Sequence, residues 1–128
     1  MKKILIVAAN YYKDVSLTLL KSAQLKISKK YSIKVMNVPG VFEIPVVISK
    51  NIKKYDAFIA LGCVIKGATT HFDFISNAAT QAIMNLSVEY KKPIGNGIIT
   101  CLNRKQANFR KNKGAEATNA ILSVLSQR

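Results

Sequence analysis

A chain of 128 residues has room for one hydrophobic core rather than two, and an apolar content of 49% excludes a disordered tail. The apolar residues come in short runs broken by Lys, Asn or Gly, well below the roughly 18 consecutive residues that suggest a membrane span. The formal charge of +14, from 20 Lys and Arg against 6 Asp and Glu, favours polyanions in general. Yet 17 of the 20 are lysines, which read base edges poorly. They fall on helix faces and turns, as at Lys26, Lys29, Lys30, Lys53, Lys54, Lys91 and Lys92, so no specific nucleic-acid site and no membrane partner are expected.

The chain opens with Lys2 and Lys3 before the apolar run Ile4 to Ala9. Asn10, Tyr11, Tyr12, Lys13 and Asp14 end that run too early for a secretory signal, so the segment reads as a buried parallel strand. The expected location is cytoplasmic, and the expected organisation a single domain over residues 1–128. Val15, Leu19, Leu20, Ala23 and Ile27 then follow helical spacing and predict an amphipathic helix over Ser16 to Lys29, capped by Ser16 or Asp14. Tyr31 to Val38 alternates as a strand before the turn signal Pro39-Gly40. A short helix is expected after Pro45, and Ala57 to Leu61 reads as a central strand closed by Gly62.

From Phe72 onward, Ile75, Ala78, Ala79, Ala82, Ile83 and Leu86 keep helical spacing for about four turns. Pro93 precedes a fourth apolar run, Ile98-Ile99-Thr100. A last helical stretch, interrupted between Lys111 and Gly114, carries Ala115, Thr118, Ile121, Leu122 and Leu125. Strands alternating with helices predict an α/β fold: a three-layer α/β/α sandwich around a central four-stranded parallel sheet, with flavodoxin-like layers. Cys63 and Cys101 stand beside predicted strand ends without metal-ligand spacing, and are expected to be reduced and partly buried.

Ligands of open parallel sheets bind beyond the carboxyl ends of the strands, where three polar clusters fall. They are Asn10, Tyr11 and Tyr12; then Pro39, Gly40, Phe42 and Glu43; then Gly62 through Asp73. In the third, Gly67, Ala68, Thr69 and Thr70 offer backbone amides where a helix begins, with Lys66 adding positive charge. This is either an anion cradle or helix capping, and a nucleoside-triphosphate loop is not supported because the GxxxxGK[ST] arrangement is missing. His71 is the sole histidine and suits either proton transfer or a structural position. Glu43 is the one carboxylate between Asp14 and Asp56 and lies in an apolar run. It either orders a ligand or pairs with a lysine.

These residues resemble the 6,7-dimethyl-8-ribityllumazine synthases of riboflavin biosynthesis. The likeness is carried by Val38-Pro39-Gly40-Val41-Phe42-Glu43-Ile44-Pro45, by Leu61 through Asp73 with its block VIKGATTH, and by Gly97-Ile98-Ile99-Thr100. The resemblance implies a transferase that condenses 5-amino-6-(D-ribitylamino)uracil with 3,4-dihydroxy-2-butanone 4-phosphate, giving the lumazine, phosphate and water, with no metal or organic cofactor. It implies that Tyr11 stacks on the pyrimidine, that Val41, Phe42 and Glu43 hold the ribityl chain, and that Val64 and Ile65 line the ring pocket. Gly67, Ala68, Thr69 and Thr70 would receive the phosphate. His71 would be the proton shuttle, Arg110 of an adjacent subunit would pair with the phosphate, and Lys113 would lie near the site; Lys66 is a further candidate contact.

The resemblance further implies a homo-oligomer with its sites at subunit boundaries, a pentamer or an assembly of pentamers. The start of the chain almost directly at strand one favours the pentamer. Asn10 and Tyr12 depart from the family pattern, and the stretch after Arg110 is shorter than usual. Asn96 stands where relatives place a phenylalanine over the ring, which predicts weaker pyrimidine binding. Two alternatives share the fold: a riboflavin synthase of the archaeal type, and a non-catalytic shell protein that binds flavin or polyanions.

Overall fold

The computed structural model describes residues 1–67 and 72–127. Four strands, β1 (Lys2–Ala9), β2 (Tyr31–Val38), β3 (Ala57–Ile65) and β4 (Ile94–Cys101), form one parallel sheet in the order β2-β1-β3-β4. Helices α1 (Lys13–Leu25), α2 (Ile44–Asn51), α3 (Phe72–Tyr90), α4 (Arg104–Phe109) and α5 (Lys113–Leu125) connect or follow them, with a 3-10 turn over Val41–Glu43 before α2. The expected three-layer sandwich is the observed one.

Alternation along the strands sorts side chains into two cores. On one face Ile4, Ile6, Ala8, Ile59, Leu61 and Cys63 meet Val15, Leu19 and Ala23 of α1 and Ala117 and Ile121 of α5. On the other, Leu5, Val7, Phe58, Ala60 and Val64 meet Ile44 and Ile48 of α2 and Ala79 and Ile83 of α3. Covering both faces explains why β1 and β3 are apolar almost throughout; every residue of β3 is buried. Edge strand β2 is half exposed and carries Lys34 at its middle, a charge that discourages pairing with another sheet edge.

Five details differ from the sequence reading. Helix α1 starts at Lys13 and ends at Leu25, with neither Ser16 nor Asp14 as its cap. Ser16 is buried within the helix, and Asp14 lies in its first turn, where a carboxylate favours the helix dipole. Helix α2 begins one residue before Pro45, which is tolerated in the first turn because its missing N–H has no intrahelical partner there.

Gly62 does not close β3, which continues to Ile65. A Cβ at Gly62 would stand 2.7 Å from Val41 Cγ2 and 3.1 Å from Ala9 Cβ, so glycine is required there for space. Strand β4 starts at Ile94, before its apolar run. Gly95 sits under α5, with the Ala117 carbonyl filling the volume a side chain would need. Both cysteines are free and more buried than expected, Cys63 8% and Cys101 2% exposed.

Candidate active site

The order β2-β1-β3-β4 reverses direction between β1 and β3, and such a switch point opens a crevice at the carboxyl ends of the strands. A cavity of about 340 Å³ lies there, lined by Tyr11, Tyr12, Gly40, Val41, Phe42, Glu43, Cys63, Val64, Ile65 and Ile75. The lining side chains arrive from four places along the chain. Tyr11 and Tyr12 follow β1, Val41 to Glu43 form the 3-10 turn after β2, Val64 and Ile65 end β3, and Ile75 comes from α3.

Tyr11 is 71% exposed and Phe42 58% exposed, so two aromatic rings stand in water at the mouth. The Tyr11 ring meets the Tyr12 ring edge-on, with centroids 4.9 Å apart and planes at 80°. Glu43 turns back on its own loop: its Oε1 accepts the Gly40 N–H at 3.0 Å, while its N–H donates to the Gly40 carbonyl at 3.2 Å. Its carboxylate is thus fixed at the cavity wall by a backbone amide rather than by a lysine.

A second cavity, of about 450 Å³, is lined by Asn96, Ile98, Ile99, Thr100, Phe109, Arg110, Asn112, Lys113 and Glu116. Arg110 caps α4 and donates from Nη1 to the Thr100 carbonyl. Asn96 Oδ1 accepts the Ile98 N–H at 3.1 Å. The structure therefore brings Tyr11, Val41, Phe42, Glu43, Val64 and Ile65 together, and separately gathers Asn96, Arg110 and Lys113. Lys66 and Gly67 are exposed just beyond β3 and line neither cavity. Gly67 has φ of +88°, a left-handed conformation that favours glycine. Ala68, Thr69, Thr70 and His71 lie outside the described residues.

Sequence reading missed Arg104. From the start of α4 it pairs with Asp14 in the first turn of α1, and its guanidinium lies over the Tyr12 ring, 5.3 Å from the centroid. Its partner is 90 residues away, so no local pattern announced it. The Arg104 hydrogen bond holds the Asp14 carboxyl below its ordinary range. Burial, with a smaller contribution from neighbouring Tyr11, raises the Tyr12 hydroxyl. Cys63, at the cavity wall, is pushed up to about 12 by burial and by the adjacent Cys101. It is a neutral thiol at physiological pH and no nucleophile. Glu116 of the second cavity was likewise unflagged.

Among the described residues there is no group of three His, Cys, Asp or Glu placed to hold a metal ion, and no helix is long and apolar enough to cross a membrane. A mostly apolar crevice with a fixed carboxylate, tyrosine hydroxyls and open aromatic faces suits a flat ring bearing polar substituents. The fold is that of an α/β protein with a cavity at the switch point of a parallel sheet. The chain belongs to the 6,7-dimethyl-8-ribityllumazine synthase family, whose model matches residues 1–128.

Curated relatives agree. The chain is 41% identical over 132 residues to the 6,7-dimethyl-8-ribityllumazine synthase of Bartonella tribocorum, covering 96% of this chain and 87% of that one. It is 40% identical over 136 residues to the synthase of Nitrobacter hamburgensis, covering 96% and 83%. It is 39% identical over 135 residues to that of Agrobacterium fabrum, covering 95% and 91%.

Proposed function

We propose that the protein condenses 5-amino-6-(D-ribitylamino)uracil with 3,4-dihydroxy-2-butanone 4-phosphate to give 6,7-dimethyl-8-ribityllumazine, phosphate and water. The observation that carries this reading is the meeting of six family-matched positions, Tyr11, Val41, Phe42, Glu43, Val64 and Ile65, around one cavity. In this reading the pyrimidine lies against Tyr11 between the walls made by Val64 and Ile65. The ribityl hydroxyls reach Glu43, whose carboxylate retains acceptor capacity beyond its single backbone contact.

The amine of the pyrimidine attacks the ketone, loss of water gives an imine, phosphate leaves by elimination, and ring closure with loss of a second water completes the lumazine. Each step moves a proton, the role assigned to His71. The departing phosphate is received by the stretch Gly67, Ala68, Thr69 and Thr70, which precedes the 19-residue helix α3. Holding both substrates in one crevice supplies much of the acceleration, because the amine is already a good nucleophile.

Arg110 lines the second cavity, not the first. This supports a site completed by a neighbouring copy that brings Arg110, Asn96 and Lys113 to the phosphate and the ring, in a homo-oligomer built on pentamers. The lone chain then carries two incomplete halves.

The test is formation of the lumazine, followed by its visible absorbance, from both purified substrates with wild-type protein and with His71→Ala. A wild-type rate above the spontaneous condensation, reduced in the variant, supports the synthase. No rate above background points instead to a binding shell of the same fold.

A further inference from the structure

The sequence presents its lysines as scattered, but the topology collects them. In a parallel sheet all strands start at one edge, and here each strand is preceded or opened by a lysine pair. In spatial order across the sheet the pairs are 29–30, 2–3, 53–54 and 91–92. Seven of the eight lysines are exposed. With strands about 4.8 Å apart, the row is about 14 Å long.

The two carboxylates near this edge are Asp56, which accepts the Lys3 N–H at 2.8 Å, and Glu89 near the end of α3. The other carboxylates stand in first turns at the opposite end: Asp14 in α1, Glu43 in the 3-10 turn, Asp73 in α3 and Glu116 in α5. The eight lysines of the amino edge thus stand against two nearby carboxylates.

Tyrosines interleave with the lysines: Tyr31 and Tyr55 directly follow two pairs, and Tyr90 directly precedes a third. Lys30 Nζ lies 5.3 Å from the Tyr31 ring centroid, and Tyr90 is 39% exposed. We infer that this amino edge of the sheet binds single-stranded nucleic acid, lysines meeting phosphates and the exposed Tyr90 offering a face to an unstacked base. A flexible single strand can bring its phosphates to a fixed row of ammonium groups. The row starts at strand ends and turns, so no helix is presented to enter a duplex groove. The inference is independent of the reaction proposed for the opposite edge.

The test is fluorescence anisotropy of a labelled 20-nucleotide oligothymidylate with the full-length protein across a salt series. The edge variant Lys2→Gln/Lys29→Gln/Lys54→Gln removes three phosphate contacts. At about 0.7 per contact its log–log salt slope falls by about 2 and binding at 0.1 M salt weakens about 100-fold. Lys→Arg at the same positions keeps the binding. The control Lys21→Gln/Lys34→Gln/Lys105→Gln removes equal charge from α1, mid-β2 and α4, and stays within about threefold of wild type. Equal losses in the two Gln variants, loss in the Arg variant, or no wild-type binding at 0.1 M salt would overturn the inference. So would tighter binding to a duplex of the same length or to phosphatidylglycerol vesicles.

Discussion

Gly62→Ala tests fold and site together. The added Cβ would lie 2.7 Å from Val41 Cγ2 and 3.1 Å from Ala9 Cβ, against ordinary carbon contacts of about 3.5 to 4.0 Å. Neither neighbour is free to yield, since both are buried, so about 1 Å of movement falls mainly on Val41 and the 3-10 turn. Overpacking of this kind costs about 1–3 kcal/mol, while replacing a strand glycine by alanine returns about 0.5–1 kcal/mol.

The net loss is about 1–2 kcal/mol. With an unfolding entropy of about 2.1 cal/mol/K per residue over 128 residues, the melting temperature drops by about 4–7 °C. Because Val41 lines the cavity beside Glu43, KM for the pyrimidine substrate should rise as well. Thermal unfolding at one fixed protein concentration and steady-state kinetics read the two effects. Adding Val41→Ala removes the clashing methyl and should recover part of the melting temperature lost in Gly62→Ala. A Gly62→Ala protein that melts at or above wild type with unchanged KM refutes the reasoning.

Three further outcomes are expected. Phe109, 78% exposed beside Asn96 and Arg110, should supply aromatic cover across the subunit boundary. Phe109→Ala then raises KM for the pyrimidine about 2- to 12-fold, the equivalent of one aromatic contact, and leaves KM for the phosphate substrate unchanged; an unaltered pyrimidine KM removes that role. Cys63, with its thiol pushed up to about 12, should react with iodoacetamide at pH 8 about three orders of magnitude more slowly in the native protein than a free cysteine of pKa about 8.5, as read by mass spectrometry. Asp14 loses its proton more readily folded than unfolded, so its contribution to stability is present above the ordinary value of 3.8 and fades as pH falls through the lowered one. The gap in urea midpoint between wild type and Asp14→Asn should accordingly be present at pH 7 and close on acidification.

The most legible parts of the sequence were those where one physical demand dominates. Runs buried on two faces announced β1 and β3, and Val15, Leu19 and Ala23 announced the inner face of α1. The first half of β4 was illegible because Gly95 and Gly97 have low strand preference, and what places them there is the close approach of α5 and Leu61. Gly62 was read as a terminator for the same reason. The helix cap was misjudged because the Asp14 side chain is taken up by Arg104, a tertiary contact that local capping patterns do not anticipate.

For the site, Tyr11, Val41, Phe42, Glu43, Val64 and Ile65 could be named from motifs and do meet at one cavity. Glu43, left between a ligand and a lysine, is held by the Gly40 amide instead. Eight of the seventeen lysines, separated along the chain, fall at one edge of the sheet. Spatial order places residues 2–3 between 29–30 and 53–54, which only strand order reveals.

The uniform direction of the strands has a consequence for how far surface charge reaches. β1 spans 8 residues, so at about 3.3 Å per residue the two rims of the sheet lie about 25 Å apart. That is about three Debye lengths at physiological ionic strength. Charge accumulated at one rim is screened before it reaches the other. A lysine added or removed at the strand starts therefore leaves the electric potential around the crevice nearly unchanged.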